Sequence, residues 1–214
     1  SMLAEDVVPS RLEKAKYLIG KSLDELGGDR VGIIAYAGKA YPLLPITTDY
    51  TAAKLALSGA SPDFIPTQGT ALDQALEYSL GYFDPQSPAS KVLVILSDGE
   101  DHEENWKEEL DRVNEQGIKV LTIGLGTTQG GPIPEKQGKS IVGYKRDENN
   151  EVVITRLNDQ IMREIAKRTN GTYVDGSNTN NTLKAITETI SGLNQAEIEE
   201  QVFTDYEDQF QWFL

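Results

Sequence analysis

Residues 91–96, Lys-Val-Leu-Val-Ile-Leu, form a β-favouring apolar run that stops on Ser97-Asp98-Gly99 and gives way to a helix-period segment. A continuous apolar run suits a strand covered on both faces, and a strand that leads into a helix suits a parallel sheet. Ligands of such sheets gather at the carboxyl ends of the strands. Asp98 therefore stands where binding chemistry is expected.

The rest of the chain repeats this alternation. Ser10-x-x-Glu13 is a capping box, after which Leu12, Ala15, Ile19, Leu23 and Leu26 recur on one helical face until Gly27-Gly28 stops it. Residues 31–37 read as a strand, and 41–47 as its hairpin partner, with Pro42 and Pro45 marking an edge. A short helix over 51–57 leads into a loop at 61–68. Thr70-x-x-Asp73 caps a second clear helix whose stripe is Leu72, Ala75, Leu76, Leu80 and Phe83. Past the Asp98 turn, Asp101-x-x-Glu104 opens a helix to about 115 that buries Trp106, Leu110 and Val113, and 118–125 is a further buried strand. A helix over 158–169, a strand over 172–174 and a helix over 182–193 complete the series.

Residues 126–158 differ in kind. Glycines, prolines and lysines precede two short alternating runs, 140–145 and 151–156, around Asp147-Glu148-Asn149-Asn150, which predicts an inserted β-hairpin. The expected fold is a doubly wound, mostly parallel, Rossmann-like α/β sheet over residues 1–194, followed by a tail at 195–214.

Composition narrows the partners. Lys plus Arg number 20 against 34 Asp plus Glu, a net charge of -14, which opposes nucleic acid and anionic lipid and favours a cation or a cationic partner. The absence of cysteine removes disulfides, thiolate zinc sites and a cysteine nucleophile together. His102 is the single histidine. With no Gly-x-Ser-x-Gly elbow to accompany it, it reads as a solvated residue of the helix start rather than part of a Ser-His-Asp triad.

The tail concentrates aromatics: Phe203, Tyr206, Phe210, Trp212 and Phe213 precede the final Leu214. Such rings gather at membrane interfaces, so 195–214 reads as the approach to a membrane segment, with docking on the core as the alternative. In the first case the segment is expected to be loosely packed and cut early by protease.

Strand, Leu96-Ser97-Asp98-Gly99 turn and helix, together with Gly69-Thr70 at the head of an upstream helix, resemble the von Willebrand factor type A domain. In that family a metal-ion-dependent adhesion site draws on an Asp-x-Ser-x-Ser segment after the first strand, a threonine, and an aspartate in a Ser/Thr-Asp-Gly turn. Thr70 matches the threonine and Asp98 the aspartate. The opening Ser1 to Glu13 and the ending Asp205 to Leu214 are similar to segments of the bacterial aerotolerance (Bat) membrane proteins, with Ser1 standing where the last serine of the metal motif falls. The resemblance implies a non-catalytic protein-binding domain. Magnesium, manganese or calcium, held by Ser1, Thr70 and Asp98, would bridge to an acidic residue of a protein partner. It also implies anchoring in the bacterial inner membrane with the domain facing the periplasm.

The resemblance also implies that the family's first, central strand and the Asp-x-Ser part of the motif lie outside residues 1–214. Weak or undetectable metal binding by the chain alone is the corollary. The space of that strand is then expected to be closed in one of three ways: by altered strand order, by residues 2–8, or by a strand donated from a second copy in a homo-oligomer, the tail at 202–214 being available. Strand donation is the expectation preferred here. Other functional classes compete for the same residues. Asp98 could be the phosphoacceptor of a receiver-like domain, although no suitable lysine ends the 118–125 strand, or the chain could be a metal-free scaffold. Gly124-Leu125-Gly126 lacks the third glycine and the following helix of a dinucleotide loop.

Overall fold

The computed structural model describes residues 1–62, 69–100, 105–138 and 140–192. The elements are α1 (Arg11–Glu25), β1 (Val31–Tyr36), β2 (Ala40–Thr47), α2 (Tyr50–Gly59), α3 (Leu72–Tyr82), β3 (Val92–Ser97), α4 (Trp106–Glu115) and β4 (Lys119–Gly124). Four short strands follow: β5 (Gly131–Pro132), β6 (Pro134–Gln137), β7 (Ser140–Tyr144) and β8 (Ile154–Thr155). Then come α5 (Asp159–Arg168), β9 (Thr172–Asp175) and a helix α6 over 179–192. The capping pattern at 101–104, His102 and the aromatic tail lie outside the described residues.

β3, β4 and β9 form a parallel sheet in that order, and β4 alternates its side chains between two cores. Val120 joins Leu76, Trp106, Leu110 and Ile165 under α3, α4 and α5, while Leu121 and Ile123 join Leu18 and Ile186 under α1 and α6. Helices thus cover both faces, as the apolar run predicts for a doubly wound sheet. The buried hydroxyl of Thr122 on the α5 side is satisfied by the Met162 carbonyl at 2.9 Å.

β1 and β2 make a separate antiparallel pair, as the hairpin reading expects. β1 is not hydrogen-bonded to β3. Between them lies a cavity of about 810 Å³ that touches every residue of both strands, with α1 and α6 on one side and α3 on the other. The cavity leaves Leu12, Ile19 and Leu26 half-buried although helical spacing places them in the core. It also borders Tyr82, whose buried hydroxyl has no hydrogen-bond partner among the described residues. Two of the three expected closures are corrected here. The strand order is not rearranged, and residues 2–8 form turns and bends rather than a strand, held instead by Arg11 N–H to the Ala4 carbonyl (3.1 Å) and Leu12 N–H to the Met2 carbonyl (2.9 Å).

The inserted segment becomes an arm. β6 pairs with β7, β5 with β8, and Arg146 bridges Val152, all antiparallel. Cross-strand partners share a face and residues two apart along a strand do too, so Val142, Tyr144, Val152 and Ile154 line one side of the arm. That side is outward: Val142 is 63% exposed and Tyr144 43%. Gly131 and Thr155, a directly opposed pair on the other side, are buried against the body.

Candidate functional site

Asp98 ends β3 in a turn that only glycine can complete. Gly99 has φ +69°, and a Cβ there would lie 2.2 Å from the Asn158 carbonyl oxygen. The same approach lets Asn158 N–H donate to the Asp98 carbonyl at 2.8 Å, which pins the turn to the start of α5. Thr70 comes from a second loop, fixed by the Ala71 N–H to the Ala37 carbonyl (2.5 Å) just beyond β1. Its hydroxyl donates to the Glu100 carbonyl at 2.5 Å. The sequence reading of Thr70 as a helix cap is thereby corrected. α3 starts later, with Ala71 at the N-cap and no side-chain cap, because the threonine hydroxyl is used to join the two loops.

Ser1 completes the set. It lines the same cavity as Thr70 and Asp98, and its carbonyl accepts from Ala4 N–H at 2.9 Å. Burial holds its α-amino group below the ordinary value, while the negative charges of Asp98 and Glu100 draw it back up. All three residues border this cavity: Thr70 is tied to Glu100, two residues beyond Asp98, and the Ser1 amino group lies within the field of Asp98 and Glu100.

The dominant feature of this mouth was not anticipated. Arg11, the first residue of α1, is fully buried and spends all five of its N–H groups. Nε and Nη2 grip Asp6 at 2.8 and 2.9 Å. Nη1 donates to Asp98 Oδ2 at 2.9 Å and to Thr155 Oγ1 at 3.0 Å, and Nη2 also reaches the Thr155 carbonyl at 3.0 Å. Asp6 Oδ2 in turn accepts from the Thr127 N–H (2.8 Å) and hydroxyl (3.0 Å). The other oxygen of Asp98 accepts from the Glu100 N–H at 3.3 Å.

A cation at a helix N-terminus opposes the helix dipole, and a buried one loses hydration; only the two carboxylates offset both costs. Gly126 makes room for it. With φ +132°, a Cβ at that position would stand 2.8 Å from the guanidinium carbon. The second glycine of the Gly124-Leu125-Gly126 pattern thus serves close packing of Arg11. The signal that could have exposed Arg11 was an arginine directly after the N-cap serine, where an acidic residue is the favoured choice.

Burial by itself would raise the Asp6 carboxyl, but hydrogen bonds from Arg11 and Thr127 outweigh it and hold the group below the ordinary 3.8. A carboxyl depressed in the folded state contributes stability that is fully present above 3.8 and is lost as pH falls through the folded value. Acid unfolding of the chain, followed by circular dichroism from about pH 5 to about pH 2, is expected to be steeper than that of Asp6→Asn. Equal slopes would show that Asp6 does not contribute in this window.

The donor types at the mouth, two hydroxyls and a carboxylate oxygen, are those a hard divalent cation selects. They fill only part of an octahedron, and among the described residues no group of three or more His, Cys, Asp or Glu side chains could hold a metal. Ser1, Thr70 and Asp98 offer oxygens of the type such a cation takes, and its remaining positions would go to water or to groups from elsewhere. A phosphoacceptor role fits less well, since Asp98 is 3% exposed and its Oδ2 is taken by Arg11.

Sheet, turn and loops together define a von Willebrand factor type A domain, and the family model of that description matches residues 1–100. The chain is similar to the crystal structure of BatB from Bacteroides thetaiotaomicron, with 43% identity and a TM-score of 0.86 over 91% of this chain and 94% of that one. It is likewise similar to an aerotolerance-related membrane protein from Bacteroides fragilis, at 42% identity and a TM-score of 0.83 over 90% and 94% of the two chains. The chain belongs to the von Willebrand factor type A family, in the group of these Bat proteins. The UPF0353 protein of Mycobacterium tuberculosis is 33% identical over 144 residues, 61% of this chain and 42% of that protein, so the chain spans less than half the length of the curated relatives it matches. Proximal thread matrix protein 1 from the mussel byssus, in a structure with a zinc-occupied metal-ion-dependent adhesion motif, shares the fold at 16% identity and a TM-score of 0.58 over 83% of this chain and 39% of that one. Among the described residues no helix is long and apolar enough to cross a membrane.

Proposed function

We propose that the chain is the ligand-binding domain of a membrane-anchored aerotolerance-related protein and acts by metal-dependent adhesion, without catalysis. The observation that supports this reading is the hydrogen bond from the Thr70 hydroxyl to the Glu100 carbonyl at 2.5 Å, which joins the Thr70 loop to the Asp98 turn beside a cavity that Ser1 also borders. A magnesium, manganese or calcium ion there would take oxygens of these residues and offer an open position to a partner's carboxylate. Net charge of -14 favours cation capture in the same way. The domain faces the periplasm in this reading, and residues 195–214 lead towards the membrane.

Manganese, titrated into the isotope-labelled chain, tests it. Paramagnetic broadening should centre on the Thr70, Asp98 and Gly99 amides at roughly millimolar metal, the weak end of extracellular cation sites. Asp98→Ala should remove it. Broadening spread evenly over the acidic surface, or unchanged in Asp98→Ala, would overturn the metal site.

A further inference from the structure

Thr127 and Thr155 are the two roots of the arm, and the Leu157 N–H closes its base on the Thr127 carbonyl at 3.0 Å. One ion pair grips both roots: Asp6 takes Thr127 and Arg11 takes Thr155. The same guanidinium holds Asp98. A second tie runs alongside, from Arg156 N–H at the arm root to Glu100 Oε1 at 3.1 Å, two residues beyond Asp98.

We propose that Arg11 is a positioning residue that makes the arm part of the Asp98 site, so that a ligand drawing on the Asp98 carboxylate resets the arm. The inference rests on the reading that Asp98 is a ligand-binding residue. Its physical basis is saturation. All five donors of Arg11 are engaged and the side chain is fully buried, so it has no solvent-facing alternative when Asp98 gives charge to a cation. A guanidinium and a divalent cation that share one carboxylate also repel each other. Without the Asp98 bond the guanidinium is no longer held in place from the β3 side, so its bonds to Asp6 and Thr155 loosen, and both lead into the arm. Gly126 packs against the guanidinium and adjoins Thr127, so the displacement reaches the root through main chain as well.

The arrangement also fixes which part of Asp98 a ligand meets. Oδ2 belongs to Arg11, which leaves Oδ1, shared with the Glu100 N–H, as the oxygen turned to other partners. Lysine could not substitute, since an ammonium lacks the planar fork that serves Asp6, Asp98 and Thr155 together.

Amide hydrogen exchange and the nitrogen-15 spectrum of the arginine side chains provide the test. Asp98→Asn keeps the shape of the side chain and removes its charge. It is expected to speed exchange at the arm roots, residues 127–133 and 152–156, at least tenfold, and to collapse the separate Arg11 Nη resonances that full engagement maintains. Asp175→Asn, the same change at the end of β9, should leave the arm within twofold of the parent chain. Arg11→Lys, with Asp98 still charged, should release the arm as Asp98→Asn does; if that variant does not fold, Asp98→Asn alone decides. Changes confined to residues 97–100 in Asp98→Asn would overturn the proposal. The two readings fail separately. Release of the arm without localised manganese broadening sinks the metal site and keeps the coupling, whereas localised broadening with an unmoved arm does the reverse.

Discussion

A chain that carries a six-residue apolar strand and a short polar turn ahead of Ser1 will be far more stable than residues 1–214 alone. Both walls of the cavity are six-residue strands, β1 and β3, and among the described residues each has a paired strand on its far side only, β2 and β4. Ser1 sits at the carboxyl end of β3, so a segment entering just before it would run parallel to β3 and bond to both walls. Burial of apolar side chains on both faces, set against the cost of ordering six residues, leaves a net gain of roughly 3–6 kcal/mol. For a domain of this size that is about 10 °C or more in Tm. Differential scanning calorimetry of the two chains checks the prediction, and an unchanged Tm would refute it. If a segment of a second copy already fills the space, light scattering of the unextended chain will show a dimer that the added strand dissociates.

The second large effect concerns Arg11. Arg11→Met is expected to cost about 3–5 kcal/mol in urea unfolding, because it leaves the Asp6 and Asp98 carboxylates buried without their counter-ion. Arg11→Met combined with Asp6→Leu should recover at least half of that loss, since most buried charge then leaves together. Such recovery would separate the penalty of stranded charge from the packing of the arginine stem. A single-variant loss below about 1 kcal/mol would mean that water reaches the cluster.

The sheet was legible because its strands announce themselves locally. The apolar run at 91–96, with an aspartate and a glycine just beyond its end, specifies strand, edge and turn within ten residues. The inserted arm showed in alternation at 140–145 and 151–156. Arg11 was not legible, since its partners Asp98 and Thr155 lie 87 and 144 residues away in the chain. Near its own position the pattern says only that a helix begins. Ile19 and Leu26 show the converse limit. Their helical spacing marks an apolar face correctly, but whether that face is covered depends on what occupies the cavity beneath it, and periodicity does not carry that information.

The gap between β1 and β3 also governs how the molecule moves. In a continuous sheet, hydrogen bonds lock neighbouring strands into one plate; here the β1–β2 pair and the three-stranded sheet are two plates joined through helices α1, α2 and α3. Packed helices slide and tilt at less cost than a ladder breaks, so displacing one plate against the other costs less than it would in a continuous sheet. Thr70 is tied to the end of β1 through Ala71 and Ala37 and to the loop after β3 through the Glu100 carbonyl, so its hydroxyl links the two plates at the site. Any strand that bridges the gap therefore sets the distance across which a ligand must reach.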